Sequence, residues 1–248
     1  HVFALSSSEV QQGAEKDSVA ARTIRALTRA RKALEYGFTS IRDLNDMGVS
    51  AADVDIRRGI ARGLIVGPRM QVSTTGLSVS GAATSRVRPC DGADGCRRAV
   101  REAIALGADW VKVFGDRGVR RREGIFDDQP TLTLDEMRAV VDEAHRQGRR
   151  VAAHASGKTS VHLAVAAGVD SIEHGMFIAA EDIDVMAASG IWYVPSLYLM
   201  TKAVFTSPEQ AAQSKPGIDI INETFRRARR AGVRIAFGSD VGAFDWNV

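Results

Sequence analysis

Residues 151–175 read VAAHASGKTSVHLAVAAGVDSIEHG, and this stretch decides the fold. Residues 151–153 form a short apolar strand. Lys158 to Ala167 is helical, and Gly168 follows where a left-handed C-cap is wanted. Residues 170–173 are a second strand. Parallel strands joined by a helix end on the same side of a sheet, with neighbours about 4.8 Å apart. Each strand here runs into a histidine, His154 and His174. Two imidazoles at matched strand ends can face one small object, and the objects that imidazole pairs hold best are metal ions. The plainer alternative is two unrelated histidines, each satisfying a backbone carbonyl. The matched spacing favours the shared ion.

Outward from this unit the same cadence repeats. Helical patterns over residues 17–36, 92–106, 133–147, 180–189 and 209–231 each stop at a glycine, and a β-rich run follows each. A further helix over 51–62 precedes the strand 70–72. Thr133-Leu-Asp-Glu136 is a capping box. Residues 73–88, rich in Ser, Thr and Gly, read as a long functional loop, with Arg86 and Arg88 able to meet a substrate carboxylate or to stay solvated. Seven strands alternating with helices predict parallel strands with crossover helices. No GxGxxG opens the first helix, which argues against a dinucleotide-binding sheet. A length of 248 residues suits a single α/β domain over residues 1–248, a (β/α)₈ barrel, since these run to about 250 residues. The eighth strand is expected just before His1, so that the barrel is incomplete at both ends, lacking strand 1 and the final helix.

Bulk composition narrows the partners. A net charge of +3 is too weak to argue for nucleic acid or a membrane surface. No run of 18 apolar residues exists to span a bilayer. The Arg226, Arg227, Arg229 and Arg230 cluster lies on a helix and reads as a solvated face. Cys90 and Cys96 flank a short Asp/Gly-rich loop; a disulfide and two free thiols are both compatible with it. The sequence leaves compartment and homo-oligomer formation open.

Barrel active sites lie at the C-terminal strand ends. Collected there are His1, Arg42, Asp43, Lys112, His154, His174, Ser196, Tyr198 and Asp240. Lys112 is unusual, because it sits inside the apolar run Trp110-Val-Lys-Val-Phe114. Burying a lone ammonium is costly. It must ion-pair, with Asp43 or Asp240 the candidates, snorkel to solvent, lose its proton, or change identity. A neutral lysine amine can add carbon dioxide to give a carbamate, an anion able to bridge two cations. Asp240, just past the last strand, can ligate a metal and take a proton from water, or cap a helix.

At these residues the chain resembles the amidohydrolase superfamily, in its imidazolonepropionase-like and Xaa-Pro-dipeptidase-like branch. The resemblance is carried by Gly37-Phe-Thr-Ser-Ile-Arg-Asp43, Gly107-Ala-Asp-Trp-Val-Lys-Val113, Val151-Ala-Ala-His154, Gly168-Val-Asp-Ser-Ile-Glu-His-Gly175, Val194-Pro-Ser-Leu-Tyr198 and Gly238-Ser-Asp240, in family order. It implies two zinc ions bridged by carboxylated Lys112. His154 and His174 would hold the second ion; His1 and Asp240 would hold the first, with Asp240 also moving the proton. Tyr198 would meet the substrate carbonyl or carboxylate. The implied substrate is a dipeptide or N-acyl amino acid. Two departures stand out. The family's His-x-His pair reads His1-Val2-Phe3 here, which would leave one ion or a degenerate, non-catalytic relative. The family's small β-sandwich is not among these residues, so the chain is expected to be part of a longer protein. A metal-free barrel using Lys112 as a Schiff-base lysine is the other enzyme reading.

Overall fold

The computed structural model describes residues 1–81, 87–122, 125–199, 201 and 208–242. A short helix α1 (Ser7–Gln11) leads to α2 (Val19–Glu35), opened by Ser18, whose hydroxyl accepts from the Ala21 N–H at 3.2 Å. There follow β1 (Ser40–Asp43), α3 (Ala52–Ala61), β2 (Arg69–Val72), β3 (Leu77–Ser78), β4 (Arg88–Pro89) and α4 (Gly92–Leu106). Next come β5 (Trp110–Phe114), β6 (Asp116–Arg122), β7 (Ile125–Pro130), α5 (Leu134–Arg146), β8 (Arg150–Ala155) and α6 (Lys158–Ala167). The last elements are β9 (Ser171–His174), α7 (Ala180–Ser189), β10 (Trp192–Val194), α8 (Pro208–Arg230) and β11 (Arg234–Ile235).

This is an α/β fold with a mostly parallel sheet. β11, β10, β9, β8, β5, β3 and β4 lie side by side in that order, and β1 pairs with β2. Every one of these pairings is parallel. The helices between them explain why, because a parallel neighbour can be reached only by a crossover. Val111, Val113, Val151, Ala153, Ile172 and Tyr193 are fully buried, as strands covered on both faces require. Thr133 and Glu136 form the full capping box at the start of α5. Gly168 ends α6 at φ 82°, the left-handed conformation its place required.

Two features depart from the sequence reading, and one open alternative is resolved. Residues 73–88 are not all loop, since β3 and β4 pair within them. Arg88 is held by Glu102 at 2.6 Å, which accounts for it without a substrate; Arg86 lies outside the described residues. Cys90 and Cys96 are joined by a disulfide at the entry to α4. The antiparallel hairpin of β6 and β7, inserted straight after β5, was not anticipated. It has no apolar alternation to announce it, since Asp116-Arg-Gly-Val-Arg-Arg-Arg122 is mostly charged. No helix among the described residues is long and apolar enough to cross a membrane.

Candidate active site

The two histidines do not occupy matched positions. In the parallel register His154 stands opposite Glu173, and His174 stands one residue further on, opposite Ala155. Strand alternation alone would send Glu173 and His174 to opposite faces. Ser171 and Glu173 share the inner face, where both bond the Arg42 guanidinium, at 3.1 and 2.8 Å. His174 joins that face because its backbone leaves the pleat, with φ at 74°. The rings of His154 and His174 then meet edge to face with centroids 4.7 Å apart. The expected pairing exists, by a left-handed turn and not by equivalent strand positions.

Asp240 arrives from the segment after β11 and also takes a left-handed backbone, φ 53°, as does Ser196 after β10, φ 47°. Such conformations are uncommon for residues other than glycine, and they cluster at functional sites. The Asp240 carboxylate lies between two imidazoles, with Oδ1 3.4 Å from Nε2 of His1 and Oδ2 4.0 Å from Nε2 of His174. His1 is fixed from its other side, Nδ1 being 3.2 Å from Asp43, while its backbone nitrogen donates to the Val241 carbonyl at 2.9 Å. Burial opposes charge on His1, but the Asp43 hydrogen bond and the Asp240 charge together raise its pKa. His174 goes the other way. Burial, with the neighbouring His154, pushes it down to about 3, so it is a neutral imidazole at pH 7.

Lys112 points into the same space and is only 3% exposed. An ion pair with Asp43 or Asp240, one of the alternatives for this residue, is not among those of the described residues; its Nζ lies over the Phe114 ring, 5.2 Å from the centroid. Burial lowers its pKa to about 8, with Glu173 and Asp240 pulling the other way. A cavity of about 870 Å³ is lined by His1, Asp43, Lys112, His174, Tyr198 and Asp240. Tyr198 is half exposed at its rim.

The donor set fits a divalent metal in its chemistry. His174 is neutral, and among the described residues its buried Nδ1 has no hydrogen-bond partner, nor has Oδ2 of Asp43. Imidazole nitrogen and carboxylate oxygen are what zinc takes. The distances give pairs and not a closed cage: among the described residues no three His, Cys, Asp or Glu side chains are gathered tightly enough to hold an ion.

One participant escaped the sequence reading. Asp116, at the start of the hairpin, is buried with Oδ1 3.2 Å from Nε2 of His154. Despite burial, its hydrogen bonds from His154, Ser156 and Ser160 hold its carboxyl well below the usual range. Its signal was a carboxylate directly after Phe114-Gly115, two residues past the end of the lysine strand.

Known proteins bear on this arrangement. Ochratoxinase of Aspergillus niger is 31% identical over 243 residues, covering 84% of this chain and 49% of the relative. The chain thus spans about half the length of that curated relative. Among solved structures, a Xaa-Pro dipeptidase with methionine bound in its active site superposes with a TM-score of 0.75 at 30% identity, over 93% of this chain and 61% of that one. A prolidase complexed with N-methylphosphonate-L-proline gives a TM-score of 0.77 at 29% identity, over 97% of this chain and 63% of that one. The model of the amidohydrolase family matches residues 11–246, and the chain belongs to that family.

Proposed function

We propose that this chain is the catalytic portion of a metal-dependent amidohydrolase that cleaves a C–N amide bond, in a dipeptide or an N-acyl amino acid. The observation that carries the reading is the convergence of His1, His174 and Asp240 beside buried Lys112 on one cavity, with His154 behind them. The family membership and the dipeptidase, prolidase and ochratoxinase resemblances support the substrate class. The frame is read as a (β/α)₈ barrel. Arg42 on β1 reaches Ser171 and Glu173 on β9, as side chains do across a barrel interior. The cavity is lined by residues 40–44 and 235–241, which lie on β1 and β11 and just past their C-terminal ends.

Zinc is the expected metal, as two ions or one. His154 and His174 would hold one ion, His1 and Asp240 the other, and a carboxylated Lys112 would lie between them. Bound there, zinc would polarise the scissile carbonyl and make water a better nucleophile. The protein's own part follows from its side chains. The low pKa of Lys112 leaves a usable fraction of free amine near neutral pH, and this amine adds carbon dioxide with loss of a proton. Asp240, with an oxygen toward each of two imidazoles, accepts the proton of the attacking water and returns it to the leaving amine. Tyr198, at the rim, donates its hydroxyl to the substrate carbonyl or carboxylate. Metal analysis and a dipeptide panel, assayed with zinc and bicarbonate, test this. A protein that binds no zinc and hydrolyses nothing on the panel would sink it.

One observation favours a second reading. Phe3 packs at 2% exposure in an apolar cluster with Val2, Ala26, Ala30 and Val49. A site short of that ligand suits a ligand-binding relative without catalysis, and the same zinc analysis separates the two. The Schiff-base reading keeps the free amine of Lys112 but gives the imidazoles no task; borohydride trapping of a carbonyl substrate on Lys112 would revive it.

A further inference from the structure

The hairpin of β6 and β7 leaves the strand that carries Lys112 and returns over the start of α6. Two of its carboxylates converge there. Asp128 on β7 accepts from the backbone N–H groups of Thr159 at 3.3 Å and Ser160 at 2.6 Å, supplying the cap that Gly157 lacks. Asp116 on β6 reaches deeper. Its Oδ2 accepts from the Ser156 N–H and the Ser160 hydroxyl, both at 2.6 Å. Its Oδ1 accepts from the Gly118 N–H at 2.7 Å and lies 3.2 Å from Nε2 of His154, to which the Ser156 hydroxyl also comes within 3.5 Å. Three donors other than His154 therefore hold this carboxylate in place.

A carboxylate only accepts, whereas the Ser156 hydroxyl can donate or accept and is the more distant of the two, so the ring nitrogen facing Asp116 carries the proton. A neutral imidazole has one N–H, and its other nitrogen then bears the lone pair. We propose that Asp116 is a positioning residue, which fixes His154 as the Nε2–H tautomer and leaves Nδ1 as the atom that can ligate a divalent metal. The proposal rests on the metal-dependent reading above. Carboxylates behind ligating imidazoles lock ring orientation and raise basicity, and their loss typically costs 10–100-fold in metal affinity. The competing view makes Asp116 a second cap for α6 with no influence on His154.

The test is made on protein stripped of metal and labelled with ¹⁵N-histidine, with long-range proton–nitrogen NMR reading the tautomer of each ring and His154 assigned by substitution. Zinc titration against a chromophoric chelator gives affinity in parallel. Wild type should show His154 as Nε2–H. Asp116→Ala should redistribute the tautomers and weaken zinc binding 10–100-fold. Asp116→Asn, which keeps an acceptor oxygen, should hold the wild-type tautomer and much of the affinity; should the alanine variant not fold, Asp116→Leu, close in size and without an acceptor, stands in for it and should redistribute the tautomers. Asp128→Asn, which disturbs only the cap, should move neither readout. An unchanged His154 tautomer in the variant without an acceptor overturns the proposal, whatever zinc does. A tautomer that follows Asp116 in a protein that binds no zinc supports the positioning role and overturns the metal reading instead.

Discussion

The hydroxyl of Tyr193 donates a 2.9 Å hydrogen bond to the carbonyl of Gly175, and that bond pins the turn on which His174 depends. Both residues of the turn are left-handed, His174 at φ 74° and Gly175 at φ 49°. Gly175 fits only as glycine, because an added Cβ would fall 2.7 Å from the Tyr193 ring. Tyr193→Phe removes the donor and leaves a buried carbonyl unpaired. We expect a loss of about 1–3 kcal/mol in urea unfolding. Zinc affinity should fall further than in a surface control of equal stability loss.

Gly157 is held under the hairpin by Asp128. A Cβ at residue 157 would overlap the Cβ and Cγ of that aspartate. Gly157→Ala should therefore lift the hairpin and cost about 1–3 kcal/mol, as overpacking does. Adding Asp128→Gly should relieve most of the clash, and a double-mutant cycle measures the recovery.

Phe3→His would restore the family's pair of histidines on paper. In this fold it buries an imidazole in an apolar cluster and removes a packed ring. The expected result is destabilisation of about 2–4 kcal/mol with no gain in bound zinc. A rise in zinc stoichiometry, measured by elemental analysis, would contradict this placement of Phe3.

Asp53 gives a pH signature. Burial, then the charges of Asp43 and Asp46, raise its pKa from 3.8 to about 8. Between those values the folded chain keeps a proton that the unfolded chain has released. Stability therefore falls as pH rises through this window, by a total on the order of a few kcal/mol, and the penalty is absent below it. Asp53→Asn should flatten the dependence. The check is the difference in urea midpoints between wild type and variant at pH 5 and pH 8.

Much of this was legible in the chain, because the relevant signals are local. Gly168 marks a helix end by its own φ, Thr133 and Glu136 cap each other, and Val111 and Val113 announce a buried strand. Lys112 declared itself by standing between two valines. What sequence could not give was register. The offset that puts Glu173 opposite His154 is a relation between strands, and the turn that corrects it is a backbone torsion at a histidine, which no residue type forecasts. Asp116 was missed for a related reason. Its partners, Ser156 and Ser160, lie about 40 residues away on the next βα unit, and only packing brings them together. Phe3 was noticed as an omission, but its role as core was visible only once α2 and α3 had packed around it.

The left-handed backbones at His174, Ser196 and Asp240 imply a trade-off. Each holds a side chain where an unstrained strand would not, at roughly 1 kcal/mol or more per residue. Glycine at any one of them would relax the backbone while deleting the group it presents. Selection for thermal tolerance alone should thus act on these positions first, replacing their residues with glycine or asparagine. A chain that still keeps His and Asp at such positions retains them at the expense of its own stability.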